Sequence, residues 1–469
     1  MALRKTKIVA TIGPASKDAR VVRKLVPYVD VFRINFSHGD YESHLEEIRT
    51  IRAEARRAGR SVAILQDLPG PKIRVGKMHD GAADLAKGSS FFLTPEPVEG
   101  NSGTATVNYP GLLRLVKKGD VLHLADGLIR LRVDATSEDG VNCTVLNGGT
   151  LASGKGVNAP GVRLKVGYPT PADLAHIRFG AREGVDFVAL SFVRSAEDVK
   201  KARRVLGRGA FVVVKIEQRE AVRDFAAILA EADGVMVARG DLGINVPIER
   251  VPLIQKDIIA RSNAVGKPVI VATQMLVSMV NFPVPTRAEV TDVSTAILDG
   301  TDAVMLSDET AVGKYPVDSV RMLDRISRAT ESSRRSDIQQ TVPPRSDDTA
   351  ESIGRAACRL AEYVGAKAIV APTQTGSTAR RVAMYRPSQP IIALCTEVRV
   401  VRRMRLYRGV VPLLSRRAKT VDWLFSRADV AAQELGLARK GDRIVVTSGT
   451  PGIRGTTNLI KVSVVGSRA

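Results

Sequence analysis

The sequence predicts an α/β protein: a closed (β/α)8 TIM barrel, a small β-barrel lid inserted into it, and a C-terminal α/β domain after it. Three observations carry this expectation. Eight short runs rich in Val and Ile, at residues 6–13, 30–37, 61–68, 186–192, 211–217, 234–241, 268–273 and 302–307, alternate with longer stretches of helical periodicity. That is the pattern of a parallel sheet joined by crossover helices. The third and fourth runs are separated by far more chain than one crossover uses, so a domain is inserted between them. After the polar segment near residue 340 the alternation of strands and helices resumes to the end of the chain.

Taken in order, the first run is TKIVATIG. The second ends in Arg33-Ile34-Asn35-Phe36-Ser37-His38-Gly39, and its period of two sets Arg33, Asn35 and Ser37 on one face. Three polar groups turned inward are costly unless they bind something. The third ends in Asp67-Leu68 and runs through Pro69-Gly70-Pro71-Lys72-Ile73-Arg74, which suits a hinge, into an inserted domain placed at 70–165. There the residues alternate in strand fashion, and two stretches meet at Asp126-Gly127, a dipeptide that favours a hairpin turn. Removing the insertion leaves residues 1–69 and 166–339, close to the ~250 residues typical of such barrels.

Active sites of (β/α)8 barrels lie at the C-terminal strand ends. The fifth run ends in Lys215-Ile216-Glu217, which brings an ammonium and a carboxylate out side by side; the plainer reading is an internal salt bridge. Before the sixth run, Val222, Phe225, Ile228 and Leu229 recur at helical spacing. The sixth ends in Arg239-Gly240-Asp241, whose carboxylate can join Glu217 as a hard oxygen ligand for Mg²⁺. The seventh supplies Thr273, Gln274 and Met275, and the eighth Ser307, Asp308 and Glu309. Two carboxylates, a lysine and arginines in one place suit phosphoryl transfer. The chain has no G-x-x-x-x-G-K-[ST], H-R-D or G-x-G-x-x-G motif, so phosphates would be held by side chains and metal.

The last domain, 340–469, holds 22 basic and 9 acidic side chains of a chain whose formal charge is +21, which points to an anionic partner. Its first strand leads into Thr373-Gln374-Thr375-Gly376-Ser377-Thr378 and a helix, a loop that is either a phosphate cradle or an ordinary capped turn. Arg399, Arg402, Arg403, Arg405 and Arg408 read as a solvated helix face, or as a face that favours a phosphorylated effector. With 44% hydrophobic and 25% charged residues the composition excludes disordered, collagenous and disulfide-built classes, and only 4% aromatic residues argues against nucleic-acid binding. Three scattered cysteines, a short N-terminal apolar run and no membrane-length stretch lead us to expect a soluble cytoplasmic protein. His44, His79, His123 and His176 match no motif, and Thr286 with Glu289 has capping-box spacing.

In order along the chain, RINFSHG, GPKIR, KGVNAPG, KIE, MVARGDLG, ATQML, PTRAEVTDV and TAILDGTDAVMLSDET closely resemble the pyruvate kinase family, over essentially the whole length. The resemblance implies transfer of a phosphoryl group from phosphoenolpyruvate to ADP, giving pyruvate and ATP in glycolysis. It implies that Lys215 neutralises the phosphoryl group in flight, that Arg33 grips it, and that Glu217 and Asp241 hold Mg²⁺, or Mn²⁺ in its place. The Gly240 and Asp241 N–H groups would receive the substrate carboxylate, and Thr273 would orient the proton delivered to the enolate carbon. Asn35, His38, Arg74 and Lys155 match nucleotide contacts, Lys155 being brought over the phosphates by lid closure. A homotetramer and a phosphorylated allosteric effector at Thr373, Thr375, Gly376, Ser377 and Thr378 are also implied.

The chain departs from the family pattern at a few positions. Many members hold K⁺ with positions matching Asn35, Ser37, Asp67 and the Leu68 carbonyl, and carry Glu where this chain has Lys72. Here a tethered ammonium can supply the charge of K⁺, and Leu68 replaces a Thr, so K⁺ is expected not to be required. Asp308 stands in place of Gly and Gln218 in place of Asn; Asp126 is either a lid carboxylate or the turn alone. The competing readings are a Mg²⁺-dependent pyruvate-enolate aldolase on a similar barrel and a basic nucleic-acid-binding protein.

Overall fold

The computed structural model describes residues 3–162, 167–207, 209–333, 348–418, 420–449 and 457–467. Eight strands, Lys7–Ile12, Val31–Asn35, Ala63–Asp67, Phe187–Leu190, Val212–Ile216, Gly234–Ala238, Val269–Ala272 and Ala303–Leu306, close into a barrel in which each is parallel to its neighbours. Alternation along each strand explains why it closes. Val9, Val31, Leu65, Phe187, Val213 and Met236 fill the inside, while their neighbours, such as Ile8, Phe32, Ile64, Val188, Val212 and Val235, pack under the surrounding helices. Both faces are therefore apolar, as strands of a covered parallel sheet must be.

Several helices start where a side chain satisfies their first N–H groups. Asp40 caps Tyr41–Arg57, Thr170 with Asp173 forms a capping box on Pro171–Arg182, and Thr286 with Glu289 forms the predicted one on Arg287–Leu298. The single helix read before the sixth strand is two, Arg219–Arg223 and Phe225–Glu231. They part at Asp224, whose carboxylate accepts the Ala196 N–H at 3.0 Å, while Phe225, Ile228 and Leu229 are buried as expected.

The insertion has its own core, which includes Phe91, Leu93, Leu122, Leu131, Val133 and Val145. It is a six-stranded sheet accompanied by a two-stranded ribbon and three isolated bridges, Arg74–Gly156, Val75–Val107 and Met78–Gly100. The hairpin between Val121–Leu124 and Ile129–Thr136 turns through Ala125–Gly127, with Gly127 at φ +88°; the side chain of Asp126 lies outside the described residues. The domain boundaries placed at 165/166 and 339/340 also fall outside them. Where the chain enters the insertion, Gly70 sits at φ +62° with its N–H on Asp173 Oδ1 (3.0 Å), and a Cβ there would stand 3.0 Å from the Ser191 carbonyl oxygen.

The last domain is a five-stranded sheet of Ala368–Thr373, Ile391–Cys395, Val410–Leu414, Arg443–Ser448 and Leu459–Val464, in the order 3-2-1-4-5, with only the last strand antiparallel. It packs on the barrel floor. Arg386 pairs with both oxygens of Asp302 (2.9 and 2.8 Å), and Lys7 Nζ donates to the Val410 carbonyl at 2.7 Å. The arginine run read as a solvated face is largely part of this seam. Arg402 lies 3.8 Å from Asp186, Arg403 donates to the Gly209 carbonyl and Arg408 is buried; Arg399 alone among these four stays well exposed. The reason is a supply of carboxylates at the floor that helical spacing could not reveal.

Candidate active site

At the opposite end of the barrel the strand ends converge on one buried ammonium. Lys215, 9% exposed, places Nζ 2.8 Å from Ser191 Oγ, 3.3 Å from Asp67 Oδ1 and 2.8 Å from Glu217 Oε1. Asp67 in turn accepts from Arg33 Nε at 2.6 Å and from Ser191 Oγ at 3.2 Å, and Arg33 also donates to Thr11 Oγ1 at 3.0 Å. Burial disfavours the charged form of every member. For Lys215 the nearby Asp67 and Glu217 outweigh it and raise the pKa, and for Asp67 the Arg33 and Lys215 cations outweigh it and lower the pKa. The core pair of the site is thus ionised at neutral pH.

Glu217 differs. Burial dominates and lifts its pKa, with Lys215 opposing and Asp241 adding to the rise. Its Oε2 takes the Phe192 N–H at 2.7 Å, while Oε1 is buried and meets only the Lys215 ammonium, at 2.8 Å. A buried oxygen left in this state beside a second carboxylate fits a hard cation. Asp241 is held by Lys72 Nζ at 3.5 Å, and Asn245 bridges the Glu217 and Asp241 carbonyls at 2.9 Å each. Among the described residues no group of three or more His, Cys, Asp or Glu could hold a metal, so the two carboxylates would need substrate oxygens or water to complete a coordination shell.

Thr273 follows the seventh strand in the left-handed region, φ +68°, as does Gln274 at +54°. Its Oγ1 accepts the Gly240 N–H at 2.8 Å and donates to the Ala272 carbonyl at 2.6 Å. The Gly240 N–H is thus bonded to the Thr273 hydroxyl in this structure. The mouth of the site is basic. Burial first, then Arg74, Lys72 and Arg33, push the His38 imidazole below its ordinary range against the pull of Asp308. Asn35 Oδ1 takes the Ser37 N–H at 3.2 Å, and Leu68 is buried with its N–H on Ala189. Arg74 is tied to the Gly154 carbonyl within the insertion, Lys72 leans over Gly156, and Lys155 is exposed beside them.

The expected residues of the barrel are thus gathered at one end, and those of the insertion stand at its edge. Sequence reasoning missed Ser191, Thr11 and Arg239; a period-two reading of the fourth strand would have turned up the first. In the last domain, Gly376 at φ +92° precedes the short helix Ser377–Ala383 with no side-chain cap, and its N–H goes to Thr373 Oγ1 at 2.9 Å. Thr375 bonds Ser377 at 3.2 Å, and Thr378 bonds Thr457 at 3.1 Å. His44 stacks on Phe36 with ring centroids 4.1 Å apart, and His176 meets the same ring edge-on, both packing roles.

Residues 3–320 match the family model of the pyruvate kinase barrel domain, and 351–463 that of the pyruvate kinase alpha/beta domain. The chain is 46% identical to pyruvate kinase 2 of Synechocystis sp., over 98% of its own length and 79% of the relative's. It is 43% identical to pyruvate kinase of Thermococcus litoralis over 95% of each, and 45% identical to that of Geobacillus stearothermophilus over 98% and 80%. Neither an aldolase nor a nucleic-acid-binding reading finds support in these matches. With both domains matched along nearly their full length, the chain belongs to the pyruvate kinase family, whose members convert phosphoenolpyruvate and ADP to pyruvate and ATP.

Proposed function

We propose that phosphoryl transfer takes place over Lys215, and the observation that carries this is its buried ammonium, kept charged by Asp67 and Glu217 and aimed by Ser191. A fixed positive charge in a dry site stabilises charge on a phosphoryl group between donor and acceptor without reorganisation. Arg33, pinned by Asp67 and Thr11, presents a guanidinium from the other side. Glu217 and Asp241 would hold Mg²⁺, or Mn²⁺ in its place, which when bound supplies a Lewis acid for the substrate oxygens. The Asp241 N–H, in the first turn of Arg239–Asn245, would receive the substrate carboxylate, and the Thr273 hydroxyl would orient the proton that reaches the enolate carbon.

Asn35, His38 and Arg74 would contact the nucleotide, with Lys155 closing over its phosphates as the insertion moves. Lys72, whose ammonium lies 3.5 Å from Asp241 and whose charge acts on His38, would supply the positive charge that K⁺ brings, so activity would need no monovalent metal. The Thr373–Thr378 loop would take a phosphorylated effector, and the working form would be a cytoplasmic homotetramer. Among the described residues no helix is long and apolar enough to cross a membrane. The test is direct: incubate the chain with phosphoenolpyruvate, ADP and Mg²⁺ without monovalent metal, and measure pyruvate and ATP. No product under any salt would overturn the reading of the site, and turnover that appears only with K⁺ would overturn the role of Lys72.

A further inference from the structure

Arg239 has no part in the assignments above, yet it is the most heavily engaged side chain at the strand ends. It is 11% exposed, and its Nε and Nη2 donate to the Thr273 carbonyl at 3.2 and 2.8 Å. Nη2 also reaches the Gln274 carbonyl at 3.2 Å and Met275 Sδ at 2.9 Å. Nη1 lies against both oxygens of Asp292, at 2.8 and 2.6 Å. The guanidinium is therefore held from behind by a carboxylate and grips two successive carbonyls in front.

Those carbonyls belong to two consecutive non-glycine residues in the left-handed region, the first of them β-branched. Such a pair persists only where its surroundings over-determine it. Two neighbouring residues do so here: the Gly240 N–H fixes the Thr273 hydroxyl at 2.8 Å, and the Arg239 side chain fixes the Thr273 and Gln274 carbonyls. Freed from the guanidinium, the turn would relax and swing the hydroxyl away. We propose that Arg239, braced by Asp292, is the positioning residue that fixes the Thr273 hydroxyl for proton delivery to the enolate carbon, without itself touching substrate.

The proposal rests on the role given to Thr273 above. It predicts an effect on the proton step and not on substrate binding, and it predicts that Lys cannot replace Arg, because a point charge cannot span two carbonyls and a carboxylate together. The proton step is read alone by deuterium uptake into the methyl group of pyruvate in D₂O with Mg²⁺ and ATP. Arg239→Gln and Arg239→Lys should each slow uptake roughly 10²-fold, the loss a small misplacement causes, with KM for phosphoenolpyruvate nearly unchanged. Thr273→Ala should slow it similarly, and the Arg239→Gln/Thr273→Ala double variant no further, since one acts through the other.

Losses that multiply in the double variant, or normal uptake in Arg239→Gln, overturn the proposal while leaving Thr273 its role. Normal uptake in Thr273→Ala overturns both. Should the Arg239 variants fail to fold, Asp292→Asn decides, since it leaves the arginine in place: slowed uptake at unchanged KM supports the clamp, and unchanged uptake sinks it.

Discussion

At the scale of single residues, the site depends on charges that only each other's presence makes tolerable. Lys215 is the hub, within 3.3 Å of Asp67 and 2.8 Å of Glu217. Lys215→Met removes a fixed charge from the reaction and leaves two buried carboxylates without it. Turnover should fall by roughly 10²–10³-fold, and stability by about 3–5 kcal/mol, the usual cost of breaking a buried pair from one side. Initial rates and a denaturant titration check the two separately, and an unchanged rate in folded protein would remove Lys215 from the chemistry. The period of two was enough to set Lys215 beside Glu217, and the plainer of the two readings offered for them, a salt bridge, is present at 2.8 Å. Arg239 was not legible, because its partners are two backbone carbonyls 34 and 35 residues away and a carboxylate 53 away. Backbone acceptors leave no trace in a sequence. Ser191 and Thr11 were passed over because a hydroxyl at or near the end of a strand is ordinary on its own.

At the scale of elements, the strands were readable because both of their faces are apolar, and the insertion because no crossover explains its length. Less readable was how the elements are joined. Helix Pro171–Arg182 begins with a capping box whose Asp173 also holds the Gly70 N–H, so one carboxylate serves a helix start and the entry to the insertion together. Gly70→Ala would force a side chain into the left-handed region and against the Ser191 carbonyl, whose residue aims Lys215. We expect roughly 1–2 kcal/mol of destabilisation from the backbone and a lower turnover from the displaced Ser191; full activity would show that the entry to the insertion and the site are independent. As a contrast remote from Lys215, Thr286→Ala should cost about 1 kcal/mol, as a lost N-cap does. Thermal denaturation measures it, and a loss much below that would mean Glu289, which also holds Ser278, maintains the helix start alone.

At the scale of the whole molecule, the formal charge of +21 acquires a location. The residue preceding each even-numbered barrel strand is an aspartate whose carboxylate accepts an N–H of the preceding strand or its start: Asp30 from Ile8, Asp186 from Ile64, Asp233 from Val212 and Asp302 from Val269. Together they make an acidic collar on the barrel floor, and the basic last domain docks on it through Arg386, Arg402 and the surroundings of Arg405. Lys7 lies in this seam, 4% exposed, with its ammonium on the Val410 carbonyl. Burial pulls its pKa down to about 8; Asp30 opposes the fall, and Arg405, Arg4 and Arg60 add to it. Below pH 8 the group is charged whether the chain is folded or not, so the full cost of burying the charge is borne. Between pH 8 and its unfolded value, about 10.4, the unfolded chain holds a proton that the folded one has released, so stability must climb with pH, by roughly 3 kcal/mol in all. Lys7→Met keeps the bulk and abolishes the titration. The general loss of positive charge on raising the pH affects both proteins alike, so the difference between their unfolding free energies isolates Lys7. The original chain should gain on the variant from pH 8 to 10, and parallel curves would show that the seam does not hold Lys7 in a depressed state.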